Sequence, residues 1–298
     1  MILNGVEIED TFAEAFGMTA TRIVITALNS HWARVAAETM TGFATSVIGC
    51  GAEAGIESGI PPEQSPDGRP GVSVLLFAVS GEELAKQVER RVGQCVLTCP
   101  TTAVFAGMDG EKLVPLGKNL RFFGDGYQIS KQIGGKRYWR VPVMDGEFLC
   151  QEYTARASAV GGGNFLVLGR TQEQVLAACE EAVRAIRRLP NVLLPFPGGI
   201  ARSGSKVGSK YKALMASTND AYCPMLRGLV SSQLGPDVGS VLEIVINGLG
   251  EDDVREATRV GIQAVCEIGA AAGIQRISAG NYGGKLGKFH FHLRKLLR

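Results

Sequence analysis

The chain has 298 residues, of which 45% are hydrophobic, 20% are charged and 39 are glycine, and its net charge is +2. This composition is typical of a folded globular protein with one large or two ordinary domains. It excludes a dedicated nucleic-acid-binding protein, which would carry clustered basic residues, and a membrane protein, because no apolar run approaches ~18 residues. Seven scattered cysteines and an acidic N-terminal segment predict free thiols and a cytoplasmic location.

The first half of the chain alternates between strand and helix periodicity. The pattern predicts strands at 21–27, 43–49, 72–78 and 101–106, and helices at 29–40 and after Ser80. Asn29 or Ser30 caps the first helix, and Ser80 with Glu83 forms a capping box at the second. Two strand–helix–strand units in succession predict a ferredoxin-like lobe.

The second half repeats this order. Its predicted strands are 164–169, 191–196, 241–248 and 274–280, and its predicted helices are one beginning at 171–174 and one at 251–269. The sequence therefore predicts an α+β fold with two ferredoxin-like (split βαβ) lobes joined by a β-rich segment, 112–159. We expect an N-terminal domain at 1–150, which includes this extension, and a C-terminal domain at 151–298. The aromatic side chains of the joining segment, such as Phe122, Phe123 and Tyr127, are expected to be buried.

An acidic side chain interrupts the apolar strand at 241–248. Alternation places Leu242, Ile244 and Ile246 under the helices, so Glu243 and Asn247 lie on the open face of the sheet. A buried carboxylate either raises its pKa or acquires a partner. Glu243 is thus a candidate proton donor or acceptor, or one half of a structural ion pair, and the pattern alone favours the ion pair.

Two loops combine glycine with lysine. One is 195–212, PFPGGIARSGSKVGSKYK, and the other is 278–288, SAGNYGGKLGK. Neither contains the GxxxxGK[ST] motif, and no periodic helix follows the first directly, so a phosphate loop of the NTPase type is not indicated. The two loops are either solvated connections or the wall of a site for an anionic ligand.

Two residue pairs have spacings that can bind a metal. Cys95 and Cys99 lie four residues apart, and His290 and His292 lie on one face of a predicted strand. Neither pair has the further ligands that a tetrahedral site requires, so we predict no metal site.

Several longer segments of the chain resemble one protein family, the formylmethanofuran:tetrahydromethanopterin formyltransferases. The segments are ILNGVEIEDTFAEAF, TGFATSVI, AEAGIE, PDGRPGV, GQCVLT, PTTAVF, RFFGDGY, PFPGGI, SGSKVG, EIVINGL and ISAGNYGGKLGK. They extend from the first residues to 288, so the resemblance covers the whole chain.

The resemblance implies an enzyme that moves a formyl group between the amine of methanofuran and a ring nitrogen of tetrahydromethanopterin. It implies no tightly bound cofactor, since both carriers are co-substrates. Because this transfer demands no protein nucleophile, we expect direct transfer in a ternary complex. The catalytic glutamate of the family falls in EIVING, which makes it Glu243 here. The oxyanion is expected to be stabilised by nearby backbone N–H groups or by Asn247. The expected substrate-binding residues are Asn247, Gly198, Gly199, Ser203, Ser205, Lys206, Asn281 and Lys285.

The chain departs from archaeal members of this family, which are strongly acidic. It resembles the bacterial version, a subunit of a formyltransferase/hydrolase complex in which formyl-tetrahydromethanopterin donates to methanofuran or an analogue. The expected partners are the hydrolase subunits and further copies of this chain in a dimer or tetramer. The alternative function is a non-catalytic scaffold that binds the carrier for the hydrolase.

Overall fold

The computed structural model describes residues 1–298. Its strands are β1 Ile2–Leu3, β2 Val6–Ile8, β3 Phe12–Thr26, β4 Glu53–Ile60, β5 Gly71–Ala78, β6 Ala103–Ala106, β7 Leu113–Pro115, β8 Ile129–Ile133, β9 Lys136–Val143, β10 Gly146–Gln151, β11 Tyr153–Ala155, β12 Ala157–Gly169, β13 Val192–Leu193, β14 Lys206–Val207, β15 Ala216–Ser217, β16 Ser240–Gly248, β17 Ile274–Ser278 and β18 Phe289–His292. Its α-helices are α1 Ser30–Thr41, α2 Val47–Cys50, α3 Gly81–Arg91, α4 Gly117–Leu120, α5 Gln172–Ile186, α6 Glu251–Ile268 and α7 Leu293–Leu296.

The chain forms two compact units. The central unit is residues 17–159, and the terminal unit combines residues 1–16 with residues 160–298. The sequence predicted two consecutive domains, 1–150 and 151–298. In the structure the first sixteen residues join the C-terminal part, because β2 pairs with β17 and the first residues of β3 pair with β18.

The central unit contains the first ferredoxin-like arrangement. Its strands follow the antiparallel order β4-β5-β3-β6, and β10, β9 and β8 extend the sheet beyond β6. Helices α1 and α3 cover one face of this sheet with buried alanine, leucine and valine side chains. Asn29 caps α1 and Ser80 caps α3, as their sequence signals predicted.

The terminal unit contains the second ferredoxin-like arrangement. Strands β17, β12, β16 and β13 lie side by side in an antiparallel order, so the two predicted split βαβ lobes are confirmed. Helices α5 and α6 cover one face, and their apolar stripes form a core with Phe165, Ile244 and Ile246 of the sheet. Between β13 and β16 the chain makes a long excursion, 194–239, which carries the first glycine–lysine loop.

Three predicted features of the central unit are wrong. Residues 43–49 do not form a strand: Ser46 caps the short helix α2, and the strand that pairs with β5 begins only at Glu53. The strand predicted at 21–27 is only the C-terminal part of β3, which begins at Phe12. Phe122, Phe123 and Tyr127 are largely exposed, because they lie in a 3₁₀ turn and the loop after it rather than on the inward face of a strand.

No helix of the structure combines the length and apolarity that a membrane crossing requires.

Candidate active site

Glu243 lies in the middle of β16, on the face of the terminal sheet opposite the helices. Its neighbour across β12 is Leu166, which belongs to an apolar cluster separate from the helix-covered core. The excursion lies on its other side. The N–H of Ala201 donates to the carbonyl oxygen of Glu243 at 2.8 Å, and the N–H of Glu243 donates to the carbonyl oxygen of Ala201 at 2.9 Å. Strand alternation therefore placed this side chain on the correct face.

The Glu243 carboxyl group is partly buried and titrates near neutral pH. Burial raises its pKa from the ordinary value of 4.5 to about 7, and no basic side chain lowers it again. Burial is the cause of this shift, and the ion pair that the strand pattern favoured does not contribute to it. Both protonation states of Glu243 are consequently populated at neutral pH, as proton transfer in both directions requires.

Glu243 should make the stability of the chain depend on pH. A folded-state pKa above the unfolded value stabilises the fold below pH 4.5, and this contribution is lost as the pH rises through about 7. At pH 8 the ionised carboxylate should cost up to ~3 kcal/mol of folding free energy. We therefore expect Glu243→Gln to unfold at a higher temperature than the wild type at pH 8 and at a similar one at pH 5. Scanning calorimetry measures the unfolding temperatures of both proteins at each pH. The same difference between variant and wild type at pH 5 and at pH 8 would contradict this prediction.

A second carboxylate, Glu14 of β3, anchors the glycine–lysine loop at 278–288. Its side chain is 1% exposed. The N–H groups of Tyr282 and Gly284 donate to one oxygen, at 2.6 and 2.9 Å, and those of Leu286 and Gly287 donate to the other, at 2.6 and 2.5 Å. Burial alone would raise its pKa, but these four donors outweigh burial and lower it to about 2. Glu14 is therefore a permanent anion that fixes the loop.

Two asparagines support the backbone near Glu243. Asn164 of β12 accepts a hydrogen bond from the N–H of Gly280 at 2.6 Å, and it donates to the carbonyl oxygens of Gly162 and Gly280 at 3.2 Å. Asn247 has no exposed area, and its Oδ1 accepts from the N–H of Gly162 at 2.9 Å. Gly162 lies at the register shift of β12 between Val160 and Gly163, so Asn247 supports this irregular backbone, and its contact with substrate stays a prediction.

Most of the other predicted substrate residues lie at the surface of the two loops. Gly198 and Gly199 form a turn with positive φ angles of 66° and 89°. Space around Gly198 is open, whereas Gly199 is buried against Val183 and Leu194. Ser203, Ser205 and Lys206 are exposed residues of the excursion, and the Lys206 ammonium is paired with Asp220. In the second loop Lys285 is exposed, whereas Asn281 donates to Thr11 and to the carbonyl oxygen of Phe12. Asn281 thus contributes to loop structure.

The site also contains residues that the sequence analysis did not single out. Glu14 satisfies the same criterion that identified Glu243, because it is an acid flanked by Ala13 and Ala15 in an alternating apolar strand. The signal was missed because no strand was predicted before residue 21. Asn164 gave no comparable signal, since its partners Gly162 and Gly280 are defined only by the folded chain.

Comparison with known proteins gives consistent matches over the full length. A family model described as formylmethanofuran-tetrahydromethanopterin formyltransferase matches residues 1–143, and the model of the proximal lobe of that enzyme matches residues 146–296. A formylmethanofuran–tetrahydromethanopterin formyltransferase of Methylococcus capsulatus is 66% identical, and the alignment covers 100% of both chains.

Two solved structures share the fold. A chain of the formyltransferase/hydrolase complex of Methylorubrum extorquens, solved with methylofuran, is 53% identical with a TM-score of 0.98, and the match covers 100% of this chain and 99% of the other. The formyltransferase of Methanosarcina barkeri is 48% identical with a TM-score of 0.93 over 100% of both chains.

Proposed function

The chain belongs to the formylmethanofuran–tetrahydromethanopterin formyltransferase family, and on that premise we propose that Glu243 carries a proton between the two nitrogen atoms of the reaction. Like its relatives, the chain is an enzyme that transfers a formyl group between methanofuran and tetrahydromethanopterin. The family and the α+β fold that the sequence predicted are thereby confirmed. The non-catalytic scaffold is not supported.

The reaction requires one proton to change nitrogen. The attacking amine forms a bond to the formyl carbon, and the carbonyl π electrons move to oxygen. The attacking nitrogen must then lose a proton, and the departing nitrogen must gain one before its bond to carbon breaks. Glu243 accepts the first proton and returns it to the leaving nitrogen, so the enzyme ends as it began. No step requires a protein nucleophile, and we propose direct transfer in a ternary complex.

The burial of the Glu243 carboxyl group without a basic partner is the observation that carries this proposal. General acid–base catalysis is most effective when the catalytic pKa lies near the working pH, and burial raises this carboxyl to about 7. Glu14, in contrast, is held ionised with a pKa of about 2. Two carboxylates whose pKa values are displaced in opposite directions support a division between a proton carrier and a fixed structural anion.

The pH profile tests the proton carrier. We expect kcat of the wild type to show an inflection near pH 7, because only one protonation state of Glu243 can begin the transfer. The residual rate of Glu243→Gln should lack this inflection. Steady-state rates across neutral pH measure both, and an unchanged inflection in the variant would assign it to another group.

We propose that the two glycine–lysine loops receive the anionic parts of the carriers. Gly198 leaves the backbone accessible, Gly199 completes the turn beneath it, and Ser203, Ser205 and Lys206 follow on the same excursion. Lys285 is one of two exposed lysines of the second loop, with Lys288. The excursion lies beside Glu243, because its residue Ala201 exchanges two backbone hydrogen bonds with Glu243. A carrier bound on the excursion therefore lies close to the reacting centre.

Lys206 is the cation of this group to test first. Removing it should raise KM for at least one carrier by about threefold to tenfold, since an exposed charge contact contributes about 1 kcal/mol. The turnover number should change little. Lys131→Ala removes an exposed charge from β8 and serves as the control. Equal KM values for both carriers in Lys206→Ala and wild type would remove Lys206 from the binding site.

We propose that the chain works inside a larger assembly in the cytoplasm. Its relative from Methylorubrum extorquens is part of a formyltransferase/hydrolase complex that was solved with methylofuran. By analogy the partners are hydrolase subunits and further copies of this chain, and the acceptor is methanofuran or such an analogue. No tightly bound cofactor is proposed. Light scattering of the chain alone and after co-expression with hydrolase subunits gives the dimer, tetramer or complex directly.

A further inference from the structure

Strand β8 forms an open edge of the sheet in the central unit. It pairs only with β9, and all five of its residues, Ile129–Ile133, are exposed. An exposed edge strand presents backbone N–H and C=O groups to which another chain can bond. The outer side of β8 is therefore a place where a further strand can be added to this unit.

The geometry of the hairpin shows which backbone groups of β8 are free. The two-residue turn 134–135 joins β8 to β9 with φ angles of 57° and 77°, and in such hairpins the two residues that flank the turn bond to each other. Bonded pairs then alternate along the ladder, which leaves Ser130 and Gln132 unbonded to β9. The carbonyl oxygen of Arg137, which lies opposite Gln132, accepts from the N–H of Glu152 at 2.8 Å, on the β10 side of β9. This bond agrees with the alternation, so the N–H and C=O groups of Ser130 and Gln132 point outward.

The side chains of β8 combine two apolar groups with one unpaired charge. Ile129, Lys131 and Ile133 lie on one face of the strand, and the two isoleucines are 57% and 56% exposed. On β9, Lys136 and Arg140 each form an ion pair with an acidic side chain, whereas Lys131 forms none. A strand that carries an acid between two apolar residues would complement this face.

The apolar surface extends beyond the strand. Two exposed side chains, Phe123 and Met144, line an apolar recess of about 730 Å³ together with Leu97, Pro100 and Val143. Because soluble monomers rarely expose large apolar patches, this part of the surface indicates contact with another protein. Six large apolar side chains between positions 122 and 144 are more than half exposed: Phe122, Phe123, Tyr127, Ile129, Ile133 and Met144.

A second copy of this chain is a poor partner for the edge of β8. The two-fold antiparallel arrangement that uses the outward groups of both Ser130 and Gln132 brings the two Lys131 side chains opposite each other. Like charges directly opposite across a ladder are destabilising. The assembly proposed for this chain supplies another kind of partner, a hydrolase subunit.

We propose that β8 docks a hydrolase subunit by taking an extended segment of that subunit as an additional strand. The segment bonds to the backbone of Ser130 and Gln132, places an Asp or Glu opposite Lys131, and packs apolar side chains against Ile129 and Ile133. This inference rests on the proposed assembly and is independent of the proposed catalytic residue. It assigns contact with the hydrolase to the central unit.

Two variants of β8 test the docking. Gln132→Pro removes an outward N–H and keeps the bonds to β9, since proline is tolerated where an edge N–H faces solvent, and Lys131→Glu reverses the charge. The co-purified hydrolase subunits of the same organism, immobilised and titrated with the full chain, give the apparent Kd. We expect each variant to raise this Kd by about tenfold or more, the loss that follows from one unmade hydrogen bond or one like-charge contact.

Matched controls separate docking from folding. Gln132→Ala keeps the backbone N–H, and Lys86→Glu makes the same charge reversal on the exposed side of α3. Both should bind the hydrolase subunits as the wild type does. The thermal midpoint of Gln132→Pro and Lys131→Glu should stay close to that of the wild type, which shows that a loss of binding is not a loss of fold.

A carbodiimide, which joins an amine to a carboxylate in direct contact, identifies the partner. We expect mass spectrometry of the treated complex to find Lys131 joined to an Asp or Glu of a hydrolase subunit, and Lys131→Arg to bind without this cross-link. A cross-link from Lys131 to a second copy of this chain, or an unchanged Kd in both Lys131→Glu and Gln132→Pro, would overturn docking at β8 and leave the assembly in place. A wild-type chain that does not bind the hydrolase subunits would refute the proposed assembly and, with it, this docking site.

Discussion

Glu243→Gln is expected to lower kcat by about 10²–10⁴-fold while the chain folds normally. Glutamine has nearly the same shape as a protonated glutamate, so it keeps the packing of β16 beside Leu166 and Ala201. It cannot accept a proton from the attacking amine or return one to the leaving nitrogen. KM for the carriers should stay within about threefold of the wild type, because the loss concerns the transition state.

The exposed glutamate Glu267 of α6 provides the matched control. Glu267→Gln makes the same chemical change in the same unit, away from the open face, and should keep full activity. An ultraviolet absorbance assay of formyl transfer from formyl-tetrahydromethanopterin to methanofuran measures the turnover of both variants. A Glu243→Gln enzyme with a turnover close to wild type would show that the proton travels by another route.

Glu14→Gln should have the largest effect on stability. Each oxygen of Glu14 accepts two N–H bonds, so an amide nitrogen in either place leaves two buried donors without an acceptor. We expect a loss of about 3 kcal/mol or more, because hydrogen bonds to a charged group are each worth ~1.5–3 kcal/mol. The thermal midpoint should fall by about 6 °C or more. Activity should fall as well, since the loop at 278–288, proposed to bind a carrier, loses its anchor.

The exposed Glu7 of β2 is the control for Glu14. Calorimetry compares Glu14→Gln with Glu7→Gln, and tryptic cleavage at Lys285 and Lys288 reports the loosening of the loop directly. In the wild type, the depressed pKa of Glu14 stabilises the fold above pH 4.5, and that contribution is lost as the pH falls through about 2. An unchanged midpoint and an unchanged cleavage rate in Glu14→Gln would mean that the loop has another anchor.

The two lobes were predictable because their signals are local. Period-2 and period-3.6 patterns, together with caps such as Ser80 and Thr171, mark the elements, and the repeated strand–helix–strand order restricts the topology. The strand predicted at 43–49 is wrong because a short helix capped by Ser46 interrupts this apolar run. Its length of four residues gives no helical period to detect.

The candidate site was predictable only in part. Alternation identified Glu243, and it applies equally to Glu14, but it gives the face of a side chain and not its depth. Asn247 shares the predicted face and is nevertheless fully buried, with its Oδ1 accepting from the N–H of Gly162. The partners of Glu14 are more than 260 positions away along the chain, so no local pattern reveals them. These long-range contacts fix the position of the loop at 278–288.

The central claim is that Glu243 titrates near neutral pH and passes a proton during transfer. Isotope-edited infrared spectroscopy of ¹³C-glutamate-labelled wild type, minus the spectrum of Glu243→Gln, isolates the carboxyl stretch of this one side chain as the pH is varied. The structure predicts a protonated carboxyl that ionises with a pKa of about 7, matching the inflection of kcat. A carboxyl already ionised at pH 5 would contradict the account.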